Sequence, residues 1–206
     1  MENVLQAIDL GLAGTGRIVG LVHDEQWSAL TCCAGWDVRD VINHMVGGFN
    51  LMADTLTHGG LDGDFDRDWL GTDPVRAYRA AAQSVSAAWH RPDALTGPVT
   101  LTFGTVPGPL AAVIHLTEVV VHGSDIAVAI GAEDAIDQEL CTELLTTMRR
   151  IGIEGFRVPG IFDPAVPVDP QLPSHRQLMA YLGRTVRPAA GRSVLALPAT
   201  AGAGSA

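Results

Sequence analysis

No lysine occurs in the 206 residues; all 13 basic side chains are arginine. We read that as the mark of a GC-rich genome, not as chemistry. Positive charge is scarce altogether. Against 23 acidic residues it leaves a net charge of −10 and a pI near 4.9. A nucleic-acid partner needs a basic surface to displace counterions, so that class is set aside. Cysteine is nearly absent too. Cys32, Cys33 and Cys141 make an odd count, and adjacent cysteines are poor disulfide partners for each other. A reducing, cytoplasmic setting is expected. The N-terminus has no basic run ahead of an apolar one, so no signal peptide is expected. The longest apolar stretch, 110–130, is broken by His115, Glu118, His122 and Asp125. That is too polar for a membrane span, and no membrane partner is expected.

What remains is globular: 47% hydrophobic and 17% charged, a length suited to one domain, alone or with a tail. Apolar residues from Val4 to Val22 recur at helical spacing, although glycines 11, 14, 16 and 20 weaken the pattern. Asp37 followed by Asp40 has the spacing of a capping box, so a helix should start at Val38 and run to about Leu56. Residues 61–72 read as a loop. Asp73-Pro74 is a helix start, and that helix should reach about His90. The alternating run 99–103 predicts a short strand or hairpin. A long helix over 110–130 should end at Gly131. Another helix is expected from Asp137 to about Ile153. An extended Pro-rich stretch follows from Phe156 to Pro173, with Phe156 and Phe162 covering the open end of the bundle. Ser174 is expected to cap a last short helix. Four or five long helices with short connections and one minor β element predict an all-α, up-down helix bundle.

The stretch HLTEVVVHGSDIA, 115–127, poses the functional question. His115, Glu118, His122 and Asp125 are spaced by three, four and three, which is one face of a helix. Their neighbours are apolar, and a buried imidazole or carboxylate is costly unless paired or bound to metal. Glu118 and His122 are four apart, so both can reach one ion. A third ligand must come from elsewhere. Of the other histidines, His23, His58 and His90 fall near helix ends, where a surface role is expected, and His175 opens the last helix. His44 falls mid-helix among Val41, Met45 and Gly48. It reads either as a core histidine bonded to a carbonyl or as the missing ligand. His44, Glu118 and His122 together would form an open two-histidine, one-carboxylate site compatible with several ions. Asp125 would orient His122 or face a substrate. His115 would be a fourth ligand, a general base, or a buried histidine. Trp36 and Cys33 read as packing residues.

The pattern CAGWDVRDVINH, 33–44, followed by TEVVVHGSDIA, 117–127, resembles the DinB-like metalloprotein superfamily. The branch is the actinobacterial one related to the N-terminal domain of mycothiol-dependent maleylpyruvate isomerases. DPVRAYRAAA, FDPAVPV and LMAYLGR are similar to the same branch, and the resemblance spans roughly 27–184. It implies a four-helix DinB-like bundle; with the minor β-hairpin and the Pro-rich C-terminal extension read above, one domain is expected over 1–187, and the Ala/Gly/Pro-rich composition after Arg187 predicts a disordered tail over 188–206. It implies a divalent metal on His44, Glu118 and His122: Zn²⁺ first, with Ni²⁺, Fe²⁺ or Mn²⁺ as alternatives. It implies mycothiol or another low-molecular-weight thiol as cosubstrate. The expected function is a thiol-dependent S-transferase or isomerase acting on a small electrophilic metabolite, with Asp125 and His115 as candidate catalytic groups. A thiol-free biosynthetic enzyme and a non-catalytic metal-binding protein are the alternatives. A homodimer is a further expectation. Two positions depart from the branch: Cys32 stands where proline is usual, and Ser124 where tryptophan is common. Ser124 is expected to widen the pocket or make it more polar.

Overall fold

The structure, a computed structural model, describes residues 3–60, 63–64, 67–157 and 162–185. Six helices and one hairpin follow in chain order. They are α1 (Val4–Val19), α2 (Val38–His58), α3 (Pro74–Trp89), β1 (Pro98–Leu101), β2 (Gly104–Pro107), α4 (Gly108–Ile130), α5 (Gln138–Ile151) and α6 (Ser174–Tyr181). This is the expected all-α bundle with a minor β-hairpin. The expected tail over 188–206 lies outside the described residues.

The helix starts are built as the sequence predicts. At α2 the Asp37 carboxylate accepts from the Asp40 amide at 2.9 Å, and the Asp40 side chain accepts from the Asp37 amide at 3.1 Å. At α3 Asp73 accepts from the Arg76 amide at 3.0 Å, with Pro74 in the first turn. Gly131 ends α4 in the left-handed region, φ 72°. Three expectations shift. The first helix stops at Val19. Gly152, φ 78°, stops α5 at Ile151. Ser174 does not cap α6: it is the first helical residue, Pro173 precedes it with no capping hydrogen bond, and its hydroxyl meets that of Thr142 at 2.7 Å. The fixed φ of Pro173 already turns the chain into the helix, which frees Ser174 to tie α6 to α5.

Helix α1 lies along α4 and α2 along α3, while α1 meets α3 and α2 meets α4. The four thus close a ring around one core, which includes the fully buried Ile8, Ile42, Phe49, Trp89, Leu116 and Ile126. Each such side chain contributes about 1.5–3 kcal/mol by leaving water. Helix α5 pairs with α6, and both touch α4. Helix α4 is therefore wrapped on nearly every side, which explains its apolar sequence. It is long and apolar enough to cross a membrane, but 67% of that stretch is buried within the protein. The hairpin pairs Leu101 with Gly104 at its tight end and packs against α2 and α4.

Candidate metal centre

The contact between α2 and α4 brings the three expected ligands together. Glu118 Oε2 lies 3.6 Å from His44 Nε2 and 3.2 Å from His122 Nε2. Ligand atoms about 2.0–2.1 Å from a tetrahedral Zn²⁺ stand roughly 3.3 Å from each other, so the cluster has the size a small divalent ion requires. The rings of His44 and His122 meet edge to face at 5.2 Å, and the Trp36 ring packs on His44 at 4.9 Å. Trp36 is thus a packing residue, but what it packs are the candidate ligands. Burial by itself would raise the Glu118 carboxyl; hydrogen bonds from His122 and His44 hold it well below its ordinary value. Its side chain remains 42% exposed because it faces an open cavity.

Behind His122 is a second layer of contacts. Its Nδ1 lies 3.1 Å from Oδ2 of Asp125, which is completely buried. Arg184, just after α6, grips that carboxylate: Nε is 3.1 Å from Oδ1 and Nη2 is 3.1 Å from Oδ2. The Cys33 thiol donates to Asp125 Oδ2 at 3.1 Å, with its sulfur 3.7 Å from both His122 Nδ1 and Arg184 Nη2. Burial favours a neutral Asp125, but the His122 hydrogen bond and the Arg184 charge keep its carboxyl below the ordinary range. Burial likewise opposes a charged His122, yet Asp125, Cys33 and Glu118 together raise it well above its ordinary value. Cys33, His122 and Asp125 are close enough to ligate an ion themselves. There, however, a guanidinium already supplies the positive charge, so this second cluster serves to hold His122.

The first cluster opens onto a cavity of about 1100 Å³ between α2, α4, the hairpin and the chain around 162–163 and 182–185. Asp125 is not among the residues that line it; its carboxylate faces His122 and Arg184 instead. His115 lines the cavity but is 3% exposed and outside both ligand clusters. Its ring packs on Phe49 and Trp89 at 5.4 and 5.8 Å, its Nε2 has no hydrogen-bond partner among the described residues, and burial pushes its pKa down to about 4. The Ser124 expectation fails. Two residues past His122, it points to the opposite face of α4, donates to Val120 O at 2.8 Å, and lines no part of the cavity. Cys32 lines the cavity as a neutral thiol, pushed up to about 11 by burial and then by the Asp125 charge. His58 and His90 pair with Asp54 and Asp9 at exposed positions. His175 is buried against Glu133 at 2.7 Å. Sequence reasoning missed Arg184 and the part of Cys33. Both fell inside quoted motifs, LMAYLGR and CAGWDVRDVINH, and that was the available signal. Phe162 lines the cavity while Phe156 does not; Phe156 instead pairs edge to face with the hairpin's Phe103 at 5.9 Å, and part of the Pro-rich segment expected to cover the bundle lies outside the described residues.

An all-α bundle that places two histidines and a glutamate on one cavity wall defines a class of protein with an open ligand cluster between two helices. The model of the mycothiol maleylpyruvate isomerase N-terminal domain matches residues 9–127. Two uncharacterized proteins of Mycobacterium tuberculosis, MT0763 of strain CDC 1551 and Rv0738 of strain H37Rv, are each 32% identical to this chain over 167 residues. Each alignment covers 81% of this chain and 89% of the relative. The crystal structure of a mutant mycothiol-dependent maleylpyruvate isomerase superposes with a TM-score of 0.49 and 17% identity over 73% of this chain and 72% of that one. The chain belongs to the mycothiol maleylpyruvate isomerase N-terminal domain family. The matched stretch contains all three candidate ligands and Asp125; Arg184 comes from outside it.

Proposed function

We propose that the chain is a divalent-metal-dependent enzyme that brings a low-molecular-weight thiol of the mycothiol kind to a small electrophile, as an S-transferase or isomerase. One observation carries this reading: three ligand atoms of metal-site spacing, contributed by two helices, on the wall of a cavity that admits further ligands. Membership of a family named for a mycothiol maleylpyruvate isomerase domain supports the thiol. His44, Glu118 and His122 would hold the ion, Zn²⁺ in the first instance. A bound ion would take the thiol through sulfur and lower its pKa, supplying a thiolate near neutral pH.

The chain's own residues prepare that site. Asp125 accepts from His122 Nδ1, which aims the Nε2 lone pair at the cluster. Arg184 keeps Asp125 ionised and fixed. Trp36 packs the two imidazoles against rotation. His115, with a pKa of about 4, stores a proton poorly near neutrality; its part is to form the wall.

The test is elemental analysis of protein purified without a metal-affinity tag, for wild type, His44→Ala and Glu118→Ala. Near-stoichiometric metal in the wild type, lost in both variants while their circular dichroism stays helical, is the expected result. A wild type that takes up no metal after incubation with Zn²⁺, Ni²⁺ or Fe²⁺ ends the reading.

A further inference from the structure

The reactive end of the cavity says little about the molecule it serves; the opposite walls say more. Among the described residues, the carboxylate and guanidinium side chains that line the cavity are Asp40, Glu118, Asp163 and Arg184. The three carboxylates outnumber the one guanidinium, and the two nitrogens of His122, the imidazole held toward its charged form, already face Glu118 and Asp125. That guanidinium is engaged elsewhere through Nε and Nη2, which meet both oxygens of Asp125 behind the wall. Asn43 is spent as well, bonded to the Arg67 carbonyl at 2.9 Å and to the Trp69 amide at 2.8 Å.

Away from the histidines and Cys32 and Cys33, the remaining surface is built from Phe49, Met52, Leu101, Phe103, Ile114 and Phe162 interleaved with threonines, whose hydroxyls are neutral. Beside Glu118 the space continues into a narrow groove of about 40 Å³. Its walls are almost wholly apolar, formed by Val113, Met148, Ile151 and Phe156 with Phe103, Ile114 and Phe162 shared from the main cavity. An anionic group placed away from the ligand cluster would lose its hydration and meet carboxylates or hydrocarbon in exchange. A dicarboxylate could offer only one of its charges to a metal and would strand the other.

We infer that the electrophile this cavity takes is an uncharged molecule with an apolar body, its reactive group toward His44, Glu118 and His122 and its body along Phe49, Phe103 and Phe162. This deepens the proposed function and rests on it for the word electrophile. The preference for an uncharged apolar ligand rests on the walls alone.

Two probes that share a ring and differ in charge test it: N,N-dimethylnaphthalene-2-sulfonamide and naphthalene-2-sulfonate. The first has no ionisable nitrogen and the second is a weak metal ligand, so their difference reads the walls. Binding is followed by calorimetry on the protein as purified and again after chelator treatment, with metal content measured on the same samples. The neutral probe should bind at least about tenfold more tightly than the sulfonate in both preparations. Thr102→Arg, which adds an unpaired cation at the exposed tip of the hairpin, should narrow or reverse the ratio. Equal or tighter binding of the sulfonate to the wild type overturns the inference. So does the absence of binding by either probe, or a ratio unmoved in a folded Thr102→Arg. A wild type without metal that still prefers the neutral probe would sink the metal reading and leave this one standing.

Discussion

His122 is held at both ring nitrogens, by Asp125 on one side and Glu118 on the other. In the metal-free protein those partners raise its pKa above the ordinary imidazole value and so favour the ring protonated at both nitrogens. An ion can take Nε2 only when that proton leaves. Metal uptake should therefore release a proton, and affinity should fall about tenfold per pH unit below the raised pKa, measured by competition with a chromogenic chelator. Asp125→Ala removes the acceptor that orients the ring and should weaken metal binding by about 10–100-fold in the same assay. Arg184→Gln should act in the same direction but less, since the carboxylate stays. His115 gives a separate pH signature. Between pH 6.5 and about 4 the unfolded chain takes up a proton there that the folded chain refuses. Stability thus falls as pH drops through that window, by on the order of 3 kcal/mol at its end. His115→Phe, which keeps a ring against Phe49 and Trp89, should flatten urea-denaturation midpoints across that range. At this scale the three ligand candidates were legible because helical spacing and a mid-helix histidine are local facts. Arg184 was not. Its partner is 59 residues away, and only the docking of α6 on α4 brings them together.

The elements carry their own constraints. Helices α1 and α4 pack so closely that a Cβ on Gly123 would run into Thr15, whose hydroxyl donates to Val119 O at 3.1 Å. Gly123→Ala should therefore cost about 1–3 kcal/mol by overpacking, seen as a lower Tm at roughly 2–4 °C per kcal/mol for a chain of this size. Adding Thr15→Ala should recover part of the loss, because the two positions share one contact. Element starts and stops were readable from the sequence: capping carboxylates, prolines and terminal glycines act within one turn. Two helix ends fell two or three residues short of the reading, and the misread start was Ser174. There proline geometry and a partner on α5 decided the outcome, and a partner on another helix leaves no trace in local sequence.

For the whole molecule, the bundle was legible because each long helix carries an apolar stripe that has to be covered. The cavity was not. Its walls are assembled from α2, α4, the hairpin tip and the chain flanking α6, and no single segment announces a hollow. The same dispersion has a consequence in time. Synthesis delivers residues 33, 44, 118, 122 and 125 long before residue 184. A nascent chain that has completed α4 already owns every candidate ligand, but not the guanidinium that fixes the carboxylate behind His122. Ion capture during translation would thus be loose and exchangeable. The proposed centre would be held firmly only once the last helix had docked, which would make the docking of α6 the step that completes it.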